Sequence, residues 1–420
     1  MADRPERLDP IREAGEPART GRSIQAPSTG IYLGVGPVAS GMDDVVIDRV
    51  DTFGLEAPLE EPFGYAQAWV DNRSAVLVRI EASDGTVGWG ECWRPVAGNK
   101  DIVDNLLADE LVGKNPMRVE RLYDHLYDVS RATYQSIVPL TSISGLDIAL
   151  WDLKGRLTGE PISSLLGGRR RDAVRAYATG HYFAHSDDLE DQWAKIVPEA
   201  ERNAAALGAI KLKTGFSLFG YGPAEDIELV ERVREAVGPD VTVMVDANYA
   251  YGRADARRVG RALEDLDVAW FEEPVKPEDL DGYADLRSLL EVPIAGGECN
   301  TPYEYPRFFE ASAWDIAQPD VCNIGGITPV RRITAQARDY GVEVIPHVWG
   351  TPIALAASLN LIGTLAGDPW LEFDRSPNPL REELSDHAFV PDDDGQVPIP
   401  TGPGLGIDLD ENAIDRYTVA

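Results

Sequence analysis

Two lysines stand two residues apart near the middle of the chain, in the segment IKLKT that contains Lys211 and Lys213. Side chains at positions i and i+2 of a strand point to the same face, so a strand here brings both amines to one site. The chain has only seven lysines against 32 arginines. Lysine, unlike arginine, can lose its proton when it is desolvated or lies beside another cation. The pair therefore predicts acid/base chemistry rather than surface charge.

Carboxylates end three short apolar runs that follow this pair along the chain. Asp246 ends the first run, the pair Glu272 and Glu273 ends the second, and Glu298 ends the third. Alternation along a strand sends only one glutamate of the pair inward, and it does not say which. Carboxylates that converge repel one another unless a cation joins them, and hard oxygen ligands suit Mg²⁺. The spacing therefore predicts a magnesium site.

A histidine and two further acids end the last three apolar runs. Asp320 follows one run, His347 ends the next, and Glu372 lies in the last. A histidine oriented by a carboxylate on the neighbouring strand is a general acid/base pair. The chain has five histidines, and a lone one is usually structural, but this one is expected to face Asp320.

These residues need a scaffold that gathers strand ends, and the chain after about residue 171 repeats one unit that can supply it. Eight short apolar runs alternate with helical patterns, which predicts a parallel (β/α) barrel with its active site at the carboxyl ends of the strands. The predicted strands are Ala173–Thr179, Ala209–Thr214, Val241–Asn248, Val268–Glu273, Pro293–Glu298, Asp315–Pro319, Val342–Pro346 and Trp370–Asp374.

The rest of the chain divides into three further parts. Residues 1–42 are rich in Pro, Arg, Gly and Ser and predict a mobile arm. Residues 43–165 predict an α+β domain, 166–375 the barrel, and the Pro- and Asp-rich segment 376–420 is expected to return to the α+β domain.

Within the α+β domain, alternating apolar residues predict three strands, and helical patterns predict two helices after them. A loop that contains aromatic residues lies between the first two strands. Such a loop in a compact domain is more often a binding loop or lid than an idle connection, so its Tyr65 is a candidate substrate contact. The predicted strands are Val45–Phe53, Ser74–Glu81 and Val87–Glu91, the helices 102–130 and 141–157, and the loop 58–72.

The charge of the chain limits its partners. The 420 residues include 71 acidic and 39 basic ones, for a formal net charge of −32. Nucleic acid is an unfavourable partner, because its phosphates would be repelled. Many carboxylates with few lysines are typical of a protein that stays soluble at very high salt, where the Debye length is about 3 Å at 1 M. An acidic protein of ordinary habitat is the alternative.

The chain shows no sign of export or membrane insertion. It has no run of 18 apolar residues, and its start, MADRPERLDP, lacks the apolar segment of a secretory signal. The three cysteines Cys92, Cys299 and Cys322 are too few for a disulfide framework in so long a chain. We therefore expect a cytoplasmic protein.

The barrel motifs, together with the segment SGLDIALWDLKGRLTGEPISSLLGG at residues 144–168, resemble the mandelate racemase subgroup of the enolase superfamily. The resemblance covers about residues 45–385. It implies an α/β fold, a modified (β/α)7β barrel with an N-terminal α+β capping domain, and a homo-oligomer built as dimers or octamers. Sites of this superfamily use a Lys or His base with Mg²⁺ that stabilises an ene-diolate.

The resemblance assigns a role to each candidate residue. The Mg²⁺ ligands it implies are Asp246, Glu272 and Glu298, with Glu272 preferred to Glu273 by the family pattern alone. The catalytic residues it implies are Lys213 as base on one face of the substrate, His347 as acid/base on the other, Asp320 as its orienting partner, Lys211 as partner of the substrate carboxylate and protonated Glu372 as its hydrogen-bond donor. The implied or candidate substrate contacts are Asn248, His181, Tyr65 and Trp349.

The implied chemistry is removal of the proton α to a carboxylate, for which Lys211 and the metal should depress the pKa of Lys213. The first hypothesis is a dehydratase that converts an aldonate or aldarate to a 2-keto-3-deoxy acid. The second is a racemase or epimerase of a 2-hydroxy acid, which needs the same two bases and no leaving group. The third is a catalytically silent barrel, which predicts the loss of a ligand or base, and none is lost here.

Overall fold

The computed structural model describes residues 44–387 and 389–419 of the chain. The arm predicted over residues 1–42 lies outside the described residues. Among the described helices, none is both long enough and apolar enough to cross a bilayer.

The front of the molecule is a three-stranded antiparallel sheet in the order β1-β2-β3, formed by β1 (Ile47–Tyr65), β2 (Ala68–Ala82) and β3 (Val87–Cys92). The loop predicted over residues 58–72 is wrong, because this segment is the far end of the β1–β2 hairpin. Its tip pairs Tyr65 with Ala68, and the register shifts between Pro58 and Phe63. The acids and prolines there break the alternation, but they produce an irregularity in the ladder rather than a loop.

Helices cover the inner face of this sheet and complete the unit that we call the cap. The single helix predicted over residues 102–130 is wrong, because Gly113, with φ of +75°, and Pro116 interrupt it. The second predicted helix is confirmed. The cap helices are α1 (Val96–Ile102), followed by a π-helical turn (Val103–Leu107), α2 (Val119–Tyr134), α3 (Leu140–Thr158) and α4 (Ile162–Leu165).

Eight parallel strands follow, in the spatial order β10-β9-β8-β7-β6-β5-β4-β11, and we call this unit the barrel. Together with the cap it confirms the predicted α/β class and the (β/α)7β barrel with an α+β capping domain. The barrel strands are β4 (Ala173–Thr179), β5 (Ala209–Lys213), β6 (Thr242–Asp246), β7 (Val268–Glu272), β8 (Ile294–Gly296), β9 (Ile316–Ala317), β10 (Glu343–Val344) and β11 (Leu371–Asp374).

Seven helices connect these strands, and each turns an apolar stripe towards the sheet. Helix α7, for example, buries Ala256, Val259, Gly260 and Leu263, which recur every three or four residues. The connecting helices are α5 (Leu189–Leu207), α6 (Pro223–Val237), α7 (Arg253–Asp265), α8 (Leu280–Leu289), α9 (Tyr305–Glu310), α10 (Ile327–Tyr340) and α11 (Pro352–Ile362), with a 3₁₀ turn at Phe216–Phe219.

The last part of the chain contacts the barrel and the cap in turn. It contains α12 (Pro379–Glu383), β12 (Gln396–Pro398) and α13 (Glu411–Tyr417). Strand β12 pairs antiparallel with β4, and beyond α13 Thr418 forms a bridge with Leu55 of β1. The segment expected to return to the cap contacts the cap strands through α12 and α13 and the barrel through β12. The exact domain boundaries stay a prediction.

The interior of the barrel is filled by a small apolar cluster that is separate from the main core. Each of its buried members comes from a different barrel strand or its immediate end. We call this cluster the apolar plug, and it consists of Tyr177, Ala209, Met244, Trp270, Ala295, Ile316 and Ile345.

Candidate active site

Polar residues stand two positions beyond members of the apolar plug. Because side chains alternate along a strand, these residues face the same interior one layer nearer the carboxyl ends. All of them are buried. We call them the strand-end layer, which consists of Lys211, Asp246, Glu272, Gln318 and His347, together with Glu372 two residues beyond the plug neighbour Trp370. The layer is therefore the polar floor of a site above a packed apolar base.

Three carboxylates of the site are close enough to share one cation. Oxygen atoms of Asp246, Glu272 and Glu298 all lie within 4.8 Å of one another. The buried Oε2 atom of Glu298 has no hydrogen-bond partner, although His347 Nε2 lies 3.2 Å away. Three buried carboxylates and an orphaned oxygen fit a hard divalent cation such as Mg²⁺.

Glu272 and Glu273 differ sharply in their surroundings. Glu272 accepts hydrogen bonds from Lys211 Nζ at 2.5 Å, Trp270 Nε1 at 2.9 Å and Gln318 Nε2 at 2.5 Å. Both carboxylate oxygens of Glu273 are buried without a hydrogen-bond partner. Burial, and then the charge of Glu298, raise the pKa of Glu273 well above its usual range. Because side chains alternate along β7, Glu272 points into the strand-end layer. Its role as a metal ligand stays a prediction.

The two lysines face the site, but both are ion-paired. Lys211 Nζ lies 2.5 Å from Glu272 Oε1 and 2.8 Å from Glu372 Oε1, and Lys213 Nζ donates to Asp246 Oδ2. Burial alone lowers the pKa of each lysine, but the neighbouring carboxylates outweigh burial and hold both pKa values above the usual range. Asp246 is the nearest charge to Lys213 here, and the depressed pKa expected from Lys211 and the metal together stays a prediction.

His347 and Asp320 form the predicted pair. The Nδ1 atom of His347 lies 2.6 Å from Asp320 Oδ2. The other oxygen of Asp320 accepts backbone N–H bonds from Cys322 at 2.6 Å and Asn323 at 3.1 Å. Burial lowers the pKa of His347, but the charges of Glu298 and Glu372, helped by Asp320, raise it to about 10. The fixed carboxylate therefore orients a ring that is protonated at neutral pH.

Glu372 differs from its expected state. Burial raises the pKa of its carboxyl, but Lys211 and then His347 outweigh burial and lower the pKa to about 2. The protonated Glu372 implied by the sequence is therefore wrong for this arrangement, because two cations flank it. The carboxylate also accepts a hydrogen bond from the backbone N–H of Val348 at 3.2 Å.

A cavity of about 140 Å³ lies between the strand-end layer and the cap. Its walls combine charged groups from the barrel with aromatic groups from the cap hairpin and the residues after β3. The lining residues are Phe63, Tyr65, Trp93, Arg94, Tyr182, Lys213, Asn248, Tyr249, Glu298, Cys299, Asn323, His347, Trp349 and Glu372.

Three of the four predicted substrate contacts line this cavity, namely Asn248, Tyr65 and Trp349. The structure does not bring His181 to it. The Nδ1 atom of His181 lies 2.8 Å from the carbonyl oxygen of Lys211, and its Nε2 atom lies 3.0 Å from Asn203 Nδ2. The ring is fully buried and both of its nitrogens have protein partners. It therefore supports β5 and does not line the cavity.

Sequence reasoning gave no role to several residues of the site, among them Gln318, Tyr182, Trp93 and Arg94. Gln318 had a signal, because it stands two positions after Ile316 in the apolar run of β9. Tyr182 stacks on Phe63 with ring centroids 4.1 Å apart. Trp93 and Arg94 reach the cavity from the segment after β3, and no pattern in that segment predicts their direction.

Residues 49–167 match the family described as mandelate racemase / muconate lactonizing enzyme, N-terminal domain. Residues 195–413 match the enolase C-terminal domain-like family. The chain belongs to the mandelate racemase/muconate lactonizing enzyme family. Its fold and its cluster of buried carboxylates are therefore those of an enolase-superfamily enzyme that acts on carboxylates.

Similar proteins of this family act on sugar acids. The D-galactarolactone cycloisomerase of Agrobacterium fabrum is 40% identical over 381 residues, which are 88% of this chain and 98% of that protein. The crystal structure of 3,6-anhydro-D-galactonate cycloisomerase from Zobellia galactanivorans has a TM-score of 0.80 and 36% identity, and the match covers 89% of this chain and 100% of that one.

Other relatives are sugar-acid dehydratases. A crystal structure of an L-talarate/galactarate dehydratase variant, liganded with Mg and L-glucarate, has a TM-score of 0.79 and 29% identity, and the match covers 94% of this chain and 97% of that one. Mandelate racemase/muconate lactonizing enzyme relatives of this chain thus include both lyases and cycloisomerases.

Proposed function

We propose that this chain is a Mg²⁺-dependent lyase that removes the proton α to the carboxylate of a sugar acid and expels the oxygen at the β-carbon. Its reaction is the dehydration of an aldonate or aldarate to a 2-keto-3-deoxy acid. The observation that carries this proposal is that Lys213 and His347 line one cavity above the carboxylate cluster. The strands that carry them are separated by four others in the sheet, so the two groups come from opposite sides of the barrel.

The surrounding charges suit this reaction. The α-proton is very weakly acidic because its loss creates a dianionic ene-diolate. Mg²⁺ bound by Asp246, Glu272 and Glu298 would neutralise that charge and would compete with Lys213 for Asp246. The buried, cationic Lys211 would pair with the reacting carboxylate of the substrate and stabilise its developing charge. Lys213 can accept a proton only once its ion pair with Asp246 is given up, which links the base to occupancy of the carboxylate cluster.

The protonated His347 supplies the second half of the reaction. Its ring is held by Asp320 and charged at neutral pH, so it can deliver a proton to the departing β-hydroxyl. Asp320 keeps Nδ1 occupied, and the proton at Nε2 therefore faces the cavity. In this assignment Lys213 removes the α-proton, and His347 protonates the leaving oxygen.

Cycloisomerisation is a second candidate, favoured by the relatives from Agrobacterium and Zobellia that match over 98% and 100% of their lengths. The α-proton is removed in the same way, but the departing β-oxygen belongs to a ring and stays in the product. No water is then lost. The two candidates differ only in the leaving group and share every residue assigned above.

The test is a substrate panel that separates these outcomes. The purified chain is incubated with Mg²⁺ and galactonate, galactarate or galactarolactone, in dilute buffer and in molar KCl. A 2-keto product from an open acid supports dehydration, and a 2-keto product from the lactone alone supports cycloisomerisation. Exchange of the α-proton in D₂O without a keto product would refute elimination and favour a racemase or epimerase. A Lys213→Ala, His347→Ala double variant is the control and should be inactive in every assay.

We also propose, from composition alone, that the chain works in a cytoplasm of high salt. The support is its net charge of −32 with only seven lysines. From the family resemblance we propose a homo-oligomer of dimers or octamers. Light scattering at low and high KCl tests the oligomeric state directly.

A further inference from the structure

Arg94 is the cation that the cap contributes to the cavity wall. Its Nη2 atom donates to the Tyr65 hydroxyl at 3.1 Å, and its guanidinium lies over the Trp349 ring, 5.1 Å from the centroid. These contacts fix the side chain with an aromatic face and one hydrogen bond. Most of its five N–H donors remain available to a molecule in the cavity.

The other cations near the cavity are already neutralised by carboxylates. Lys213 pairs with Asp246, and His347 lies 2.6 Å from Asp320. Arg73, which also lies over the Trp349 ring, is 3.2 Å from Asp374. Among the described residues, no carboxylate lies within ion-pair distance of Arg94.

Arg94 differs from the other cations that border the cavity, because no carboxylate neutralises it. Arg94 is also half-buried, so water solvates its charge only in part. A planar guanidinium with free donors matches the two oxygens of a carboxylate in a bidentate pair, and the sugar acids of the proposed function carry carboxylates. The position of Arg94 on the cap side, across the cavity from the strand-end layer, decides which end of a substrate it can reach.

We propose that Arg94 binds the far carboxylate of a dicarboxylic sugar acid, so that the substrate class is an aldarate rather than an aldonate. This inference rests on the proposed function, which places the reacting carboxylate at the strand-end layer near Lys211. An aldarate carries a second carboxylate at its other end, and that group meets Arg94. An aldonate has a neutral CH₂OH there and would leave the guanidinium unpaired.

The rival explanation is that Arg94 only supports the wall by packing on Trp349 and bonding Tyr65. The chain offers a matched control for that role. Arg131 donates to the Tyr127 hydroxyl at 2.6 Å and lies 5.5 Å from the centroid of the same ring, but it is not part of the cavity. A purely structural Arg94 predicts equal losses for diacids and monoacids when it is replaced.

The experiment measures binding by calorimetry in saturating Mg²⁺, with the inactivating Lys213→Ala and His347→Ala substitutions present in every protein so that no acid is turned over. It uses two matched pairs of acids, galactarate with galactonate and glucarate with gluconate. The proteins are the wild type, Arg94→Met, Arg94→Lys and the control Arg131→Met, each checked for folding by circular dichroism. The wild type should bind at least one diacid more tightly than its monoacid. Arg94→Met should weaken that diacid about 10²-fold, as loss of one partner of a buried charge pair does, and change the monoacid less than about threefold.

Arg94→Lys should restore part of the preference, and Arg131→Met should change neither acid. A wild type without preference for either diacid, or an equal loss of both acids in Arg94→Met, would overturn the assignment of Arg94. Because binding is measured apart from turnover, the two proposals fail separately. Keto product without a diacid preference contradicts only the role of Arg94, and a diacid preference without elimination contradicts only the lyase.

Discussion

Glu91 at the end of β3 connects the cap to the loop that carries His347. Its carboxylate accepts hydrogen bonds from the Thr351 hydroxyl at 2.6 Å, the Thr351 backbone N–H at 3.1 Å and the Ala354 backbone N–H at 3.0 Å. It therefore holds the first turn of α11, four residues beyond His347. The side chain is only 2% exposed, and burial raises the pKa of Glu91 to about 7.

This shift makes the free energy of unfolding depend on pH. The unfolded chain releases the proton of Glu91 near pH 4.5, whereas the folded chain keeps it until about pH 7. The contribution of Glu91 to stability is therefore fully present below pH 4.5 and is lost as pH rises through 7. A shift of about 2.5 units corresponds to about 3 kcal/mol in total, of which about 2.5 kcal/mol is lost between pH 5 and pH 8.

The Glu91→Gln variant removes the titration and keeps the size of the side chain. Urea unfolding at constant ionic strength from pH 5 to pH 8 gives the free-energy difference between wild type and variant. We expect that difference to move by about 2.5 kcal/mol in favour of the variant as pH rises. The exposed Glu231 of α6 supplies a control, because Glu231→Gln makes the same chemical change at the protein surface. Parallel pH profiles for wild type and Glu91→Gln would refute the reasoning.

Three further predictions concern the site and the surface. Lys213→Ala and His347→Ala should each lower kcat by at least about 10²-fold, and α-proton exchange in D₂O should be lost in Lys213→Ala but kept in His347→Ala. Normal exchange in Lys213→Ala would contradict its assignment as the base, and lost exchange in His347→Ala would contradict its assignment as the acid. Chelation of divalent metal should abolish turnover, and added Mg²⁺ should restore it. Asp246→Asn should weaken Mn²⁺ binding measured by electron paramagnetic resonance. Unchanged Mn²⁺ binding would remove Asp246 from the set of metal ligands. Raising KCl from 0.1 M to 2 M should raise the urea midpoint, because screening relieves repulsion in a chain with a net charge of −32; a constant midpoint would remove the high-salt hypothesis without affecting the mechanism.

The barrel and the floor of its site could be predicted because strands have a period of two. Apolar residues of the plug mark the inward face of each strand, so the polar residue two positions later must share that face. The same rule finds Lys211, Asp246 and His347, and it would have found Gln318. Family resemblance added the roles, which the spacing alone does not contain.

Beyond Tyr65, the cap side of the site could not be predicted, since it depends on where the hairpin and the residues after β3 meet the barrel. Trp93 and Arg94 lie in an irregular segment whose neighbours in the cavity are distant in sequence. His181 was predicted to contact the substrate but does not reach the cavity. Its backbone has a positive φ of +53°, and its ring contacts the carbonyl oxygen of Lys211 in β5. The lowered pKa of Glu372 was also not foreseen, because it depends on how closely Lys211 and His347 flank that carboxylate.

The bridge between Leu55 and Thr418 has a consequence for how this protein is made on the ribosome. The two residues are about 360 positions apart, and the backbone N–H of Val419 also donates to the carbonyl of Gly54 at 2.8 Å. At about 5 to 20 residues per second of synthesis, the emerging hairpin waits roughly 20 to 70 seconds for this partner. Until then Gly54 and Leu55 lack these backbone partners, so the cap is completed only when the end of the chain has been made.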